Sequence, residues 1–164
     1  MTGLVDLDAP LPGVVVVFVP GHPKPAGSKR VFMVAKAGAA PRPVVTDDSG
    51  AKGRDWRASI QHAIAAVFQG PPLTGPLELS CYFTVARPRG HSGKRGLLPS
   101  APSYPTTRPD ITKLLRAVED AATGLLWADD AQIVTQSAAK RYGARPGVVI
   151  HCRPLSGAPE GEEP

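Results

Sequence analysis

Cysteine is scarce in this chain: Cys81 and Cys152 are the only two in 164 residues. They form no C-x-x-C pair, which argues against a zinc site. Each sits in an apolar, strand-like run and reads as a small buried thiol, and a reducing, cytoplasmic setting fits. Long hydrophobic runs are also missing. Val14-Val15-Val16-Val17-Phe18-Val19 falls far short of the ~20 residues a bilayer-spanning helix needs. Only Asp6 and Asp8, and no basic residue, precede it, which is wrong for a signal peptide. It reads as a buried strand, and no membrane partner is expected. There is no internal repeat.

Nineteen prolines and seventeen glycines point instead to long loops and tails. The length suits one domain with a real core. The formal charge is +5, but it is unevenly spread. All nineteen Lys and Arg lie between Lys24 and Arg153, whereas Asp6, Asp8, Glu160, Glu162 and Glu163 lie in the tails. The segment between therefore has nineteen cations against nine acids, a balance of +10. Such a balance favours a polyanionic partner through phosphate contacts and counterion release.

The organising stretch is Arg108 to Val134. Pro109 cannot sit inside a helix, and Asp110 is a good helix-starting residue. Ile111, Leu114, Leu115, Val118, Ala121, Ala122 and Leu125 recur at steps of three and four, the mark of one buried helix face. Gly124 is a plausible stop. Leu125-Leu126-Trp127 then leads to a second acidic cluster, Asp129-Asp130. If the helix packs along a sheet, these acids can meet those at its start. Converging carboxylates repel unless a cation lies between them, and magnesium takes such hard oxygen ligands. From spacing alone the alternative stands equally: Asp110 as only a cap and Asp129-Asp130 as only a turn.

On either side, the chain reads as strands and helices joined by basic loops. Val14–Val19 is the first strand. A Pro/Gly-rich loop follows, and its Lys24, Lys29 and Arg30 suit close approach to a phosphate backbone. Val31–Val34 and Val44–Thr46 suggest an open hairpin. Lys52–Phe68 is the first helix, with Trp56, Ile60, Ala63, Ile64, Val67 and Phe68 as its apolar stripe. Leu77–Val85 alternates as a half-buried strand. Arg87 to Arg108 is the most basic loop, with Arg87, Arg89, His91, Lys94, Arg95 and Arg108, and it runs directly into Asp110. Lys and Arg there can hold a phosphate while the acids hold a metal. Ile133–Arg141 and Val148–Arg153 are expected to form a closing hairpin through residues 143–147. Residues 1–12 read as a loose arm, 13–154 as the folded domain and 155–164 as an acidic, disordered tail.

Asp110-Ile111-Thr112-Lys113-Leu114-Leu115-Arg116 and Trp127-Ala128-Asp129-Asp130-Ala131-Gln132-Ile133-Val134 together resemble the core of the RusA-type Holliday junction resolvases. That family's pattern runs roughly D-[LI]-D-N-L-x-K, followed after the helix by W-x-D-D-A-Q-[VI]-V. The resemblance implies an α+β fold, a mixed β-sheet packed with two main helices. It implies a magnesium-dependent endodeoxyribonuclease, with manganese as a substitute, that resolves four-way DNA junctions as a homodimer in a bacterial or phage-infected cell. Asp110, Asp130 and Arg116 would be catalytic, with Asp110, Asp130 and Asp129 on the metal. Lys24, Lys29, Arg30, Arg87, Arg89, Lys94, Arg95, Arg108 and Lys113 would contact DNA. The departure is Thr112, where the family has its second Asp. A hydroxyl is a much weaker magnesium ligand than a carboxylate, so two readings stand. Either Asp110 and Asp130, with Asp129, Glu119 or Glu78, still hold metal, or the protein binds junctions without cutting them.

Overall fold

A computed structural model describes residues 13–27, 29–35, 38–47 and 50–155. The expected N-terminal arm, and the tail beyond Leu155, lie outside the described residues. The elements in chain order are β1 (Val15–Pro20), β2 (Lys29–Val34), β3 (Arg42–Asp47), α1 (Gly50–Val67), β4 (Leu77–Val85), β5 (Ser92–Gly93), β6 (Gly96–Leu97), α2 (Ile111–Ala122), β7 (Ile133–Tyr142) and β8 (Gly147–Pro154). The architecture is α+β, a mixed four-stranded sheet with two helices. The sheet order is β1-β8-β4-β7. β8 runs antiparallel to both β1 and β4, whereas β7 runs parallel to β4. Parallel neighbours need a long crossover, and the loop carrying β5 and β6, followed by α2, supplies it.

The alternation in β4 sets the layers. Leu77, Leu79, Cys81 and Phe83 are buried and face the helices. They meet Trp56, Ile60 and Ile64 of α1 and Leu114, Val118 and Ala121 of α2 in one apolar cluster. Burying a side chain of this size contributes roughly 1.5–3 kcal/mol. Val16, Phe18 and Tyr82 stay exposed on the sheet's other face, where Glu78 pairs with Arg153. Cys81 and Cys152 are free, buried thiols. Burial pushes the Cys81 thiol up to about 12 and the Cys152 thiol up to about 11, which leaves both unreactive.

Three expectations need correction. The last two strands are not hydrogen-bonded to each other, because β4 lies between them. An entirely apolar inner face favours a central place with a neighbour on each side. The link from β7 to β8 therefore steps across the end of β4. Gly143 donates to the Val85 carbonyl at 3.1 Å, and a Cβ there would come within 2.5 Å of Thr84 Cγ2. Lys29 and Arg30, expected in a loop, begin β2. The first helix starts at Gly50, before the expected Lys52. Among the described residues, no helix is long and apolar enough to cross a membrane.

Candidate metal and DNA site

α2 begins where the sequence predicts, with Asp110 at the N-cap in extended conformation. Its side chain makes no capping hydrogen bond, so this exposed carboxylate is not engaged as a cap. Its position is fixed through its neighbours. Lys140 Nζ, from β7, donates to the carbonyls of Thr107 and Pro109 at 2.7 and 2.8 Å. On the other flank, Ala26 N donates to the Lys113 carbonyl at 2.8 Å. Lys140 therefore holds the backbone that leads into Asp110.

At the far end, Thr123 is the C-cap and Gly124 follows with φ +82°, a left-handed conformation that suits glycine after a helix. The W-x-D-D-A-Q segment divides its work. Trp127 is fully buried, and its indole N–H donates to Asp130 Oδ1 at 2.8 Å. Thr123 Oγ1 hydrogen-bonds the same oxygen. Asp129 caps a short 3-10 turn, accepting from Ala131 N at 2.8 Å. Gln132 Oε1 accepts from Asp129 N at 3.0 Å, while its Nε2 donates to the Leu73 and Gly75 carbonyls. Trp127, Asp129 and Gln132 thus build the turn, and Asp130 is the carboxylate that the turn presents.

Glu119, one turn before Thr123, accepts from Gln136 Nε2 of β7 at 2.6 Å. Partial burial raises its pKa above the usual carboxylate value. Repulsion from Asp130 and Asp120 adds to the rise, against the Gln136 hydrogen bond and the nearby Arg116, which lower it. Glu119 and Asp130 are therefore close enough to repel, and a cation between them would relieve the repulsion. Their hard oxygens fit magnesium.

Asp110 does not join them within one chain. α2 has twelve residues, a rise of ~18 Å, with Asp110 at one end and Asp130 bonded to Thr123 at the other. Among the described residues, no group of three or more His, Cys, Asp or Glu is placed to hold a metal. Glu78 is also remote, on the opposite face of the sheet and paired with Arg153. Thr112, Arg116, Glu119 and Thr123 fall three or four residues apart and so share one flank of α2. The Glu119–Gln136 bond sets that flank beside β7.

The basic residues divide into groups. Lys24 and Arg108 line a groove beside Asp110. Arg87 donates to the Pro102 carbonyl at 2.7 Å and lies over the Tyr142 ring at 4.2 Å. Arg89, Lys94 and Arg95 are exposed around the β5–β6 hairpin. Lys113 is exposed on α2. The side chains of Lys29 and Arg30 lie outside the described residues. Sequence reading missed Tyr142, the anchoring of residues 107 and 109 by Lys140, and the bond between Glu119 and Gln136. The Glu119–Gln136 bond is non-local, and no local spacing announces it.

A family model described as "Endodeoxyribonuclease RusA" matches residues 20–153. An uncharacterized protein of Bacillus subtilis (strain 168), YqaN, is 29% identical over 92 residues, 51% of this chain. The chain spans 61% of the length of that relative. The family match takes in both acidic ends of α2, the basic loops and, of the main sheet, β4, β7 and β8 as far as Arg153: the chain belongs to the RusA endodeoxyribonuclease family.

Proposed function

We propose that this protein is a metal-dependent, structure-selective endodeoxyribonuclease that resolves four-way DNA junctions as a homodimer. In this reading each site takes Asp110 from one chain and Glu119 and Asp130 from its partner chain. The observation that carries it is the placement of the acids at opposite ends of α2, beside a sheet edge that no other strand pairs among the described residues. β7 is that edge. Ile133 to Ala139 carries no charge, and Val134 is 61% exposed. A long uncharged edge strand is a template for pairing with another chain. Antiparallel pairing of β7 with its copy, about a two-fold axis near mid-strand, sets the two α2 flanks side by side in opposite directions. The Asp110 end of each helix then faces the Glu119–Asp130 end of the other. A two-fold dimer also matches a two-fold junction.

Glu119 then supplies the carboxylate that Thr112 does not. Magnesium held there, or manganese in its place, would lower the pKa of an attacking water and stabilise the leaving oxygen. Trp127 and Thr123 keep Asp130 oriented. Arg116, midway along the flank, offsets charge on the phosphate. Lys24, Arg108 and Lys113 hold the DNA backbone near Asp110, and Arg89, Lys94 and Arg95 extend the contact.

Incubation of a labelled four-way junction with magnesium tests this reading. Wild type is expected to make paired nicks, and Asp130→Asn to lose them by a factor of roughly a hundred or more. Junction binding without nicking, with nicking restored by Thr112→Asp, would identify a binding protein that has lost catalysis. Equal affinity for junction and plain duplex would remove the junction reading altogether.

A further inference from the structure

The groove beside Asp110 has a composition that the metal site does not explain. It encloses about 200 Å³, below the ~300 Å³ at which pockets for drug-sized ligands begin, and so suits a single ring system. Four of its lining residues are prolines: Pro23, Pro88, Pro105 and Pro109. Proline has no backbone N–H, so these walls cannot supply the amide cradle that binds a phosphate. They supply rigid, flat, apolar faces instead. Tyr142 lines the same groove, and also a second groove with Ala86, Arg87, Gly143 and Ala144. The Arg87 guanidinium covers the ring 4.2 Å from its centroid, and His91 packs edge-on at 5.8 Å. These two contacts brace the Tyr142 ring. Besides the Tyr142 hydroxyl, the polar side chains of the lining are those of His22 and Thr107, with Lys24 and Arg108 adding positive charge.

We infer that this groove receives one unstacked nucleobase of the DNA strand beside the incision and reads its identity, with Tyr142 as the stacking platform. The inference rests on the junction-nuclease reading above. Apolar flat walls with an aromatic face match the chemistry of base stacking. Lys24 and Arg108 then take the flanking phosphates, and the groove's continuity with Pro109 places that base within a nucleotide or two of the phosphate held at Asp110. Unstacking a base costs least where its pairing is already disturbed, and the branch point of a four-way junction is where the duplex stack is interrupted.

Photocrosslinking tests it directly. Full-length Asp130→Asn protein is saturated with a four-way junction carrying 5-iodouracil or 5-iodocytosine at each position within three nucleotides of the cut. The expected result is a cross-link to Tyr142 or His22 from one such position. Saturated binding with cross-links only elsewhere, or with none, overturns the inference and leaves the nuclease reading standing. In wild type, incision of junctions differing at that position should discriminate between best and worst base. Tyr142→Leu should shrink the ratio at least tenfold, and Tyr142→Phe, which keeps the ring, should preserve it. An unchanged ratio in Tyr142→Leu overturns the inference. No junction binding by any form removes the nuclease reading and this inference together.

Discussion

Ala139→Lys is expected to give a folded monomer that nicks four-way junctions roughly a hundredfold or more slowly than wild type. Ala139 is an exposed residue in the middle of β7, the outermost strand of the sheet. Nothing buried is lost by replacing it, and surface substitutions of this kind usually change stability by about 0.5 kcal/mol or less. Lysine on an edge strand is a common device against edge-to-edge pairing. A two-fold axis near mid-strand doubles its effect by bringing two like charges together. Every acid of the site remains in the monomer, but the Asp110 end of α2 no longer faces the Glu119–Asp130 end of another chain. Analytical ultracentrifugation and junction cleavage, measured on the same preparation, check this. A variant that stays dimeric and cuts normally would place the subunit contact on another surface.

Glu119→Gln is expected to make the protein more stable at neutral pH while lowering metal-dependent cleavage. Burial and the neighbouring Asp130 hold the Glu119 pKa above its ordinary value. Between the ordinary value and the raised one, the folded chain binds more protons than the unfolded chain, so stability falls as pH rises through that window. At pH 7 the ionised carboxylate is a destabilising group, and glutamine removes it while keeping a side chain able to meet Gln136. Below the ordinary carboxylate range Glu119 is neutral in both states and the difference between wild type and variant vanishes. Thermal melts from pH 4 to 8 should therefore show the two curves converging at the acid end, with the variant higher at neutral pH. Added magnesium should raise the melting temperature of wild type more than that of Glu119→Gln, because a cation between Glu119 and Asp130 relieves a repulsion the variant lacks. Identical melting behaviour across this range would mean that the folded chain does not hold the Glu119 carboxyl above its ordinary range.

Much of this was legible in the chain because it was local. The three-and-four spacing from Ile111 to Ala122 gave the buried face of α2, Pro109-Asp110 gave its start, and Gly124 its end. The alternation from Leu77 to Val85 gave β4 and its two faces. W-x-D-D-A-Q marked a built turn, although only the structure divides it into Asp129 as the cap and Asp130 as the presented carboxylate. The sheet order was not legible, since strand pairing is non-local: residues 133–142 and 147–154 read as a hairpin until β4 is found between them. For the same reason the distance between Asp110 and Asp130 could not be read. Twenty residues of separation suit a compact cluster as well as opposite ends of a helix. The direction of α2 along β7, fixed by Lys140 at one end and Gln136 at the other, decides between them. Glu78 looked available as a spare carboxylate only because period-two spacing does not say which face carries the helices.

The central claim is that each metal site draws on two chains, and mixing two inactive variants tests it most directly. Asp110→Asn and Asp130→Asn should each be silent alone on a four-way junction with magnesium. Unfolded together and refolded, they should form mixed dimers in about half of the population. In each mixed dimer one site carries both substitutions and the other carries neither. The account predicts that nicking returns, at about a quarter of the wild-type density of sites, as single nicks instead of paired ones. If each site lay within one chain, every site in the mixture would keep one substitution and no nicking would return. That result would contradict the account.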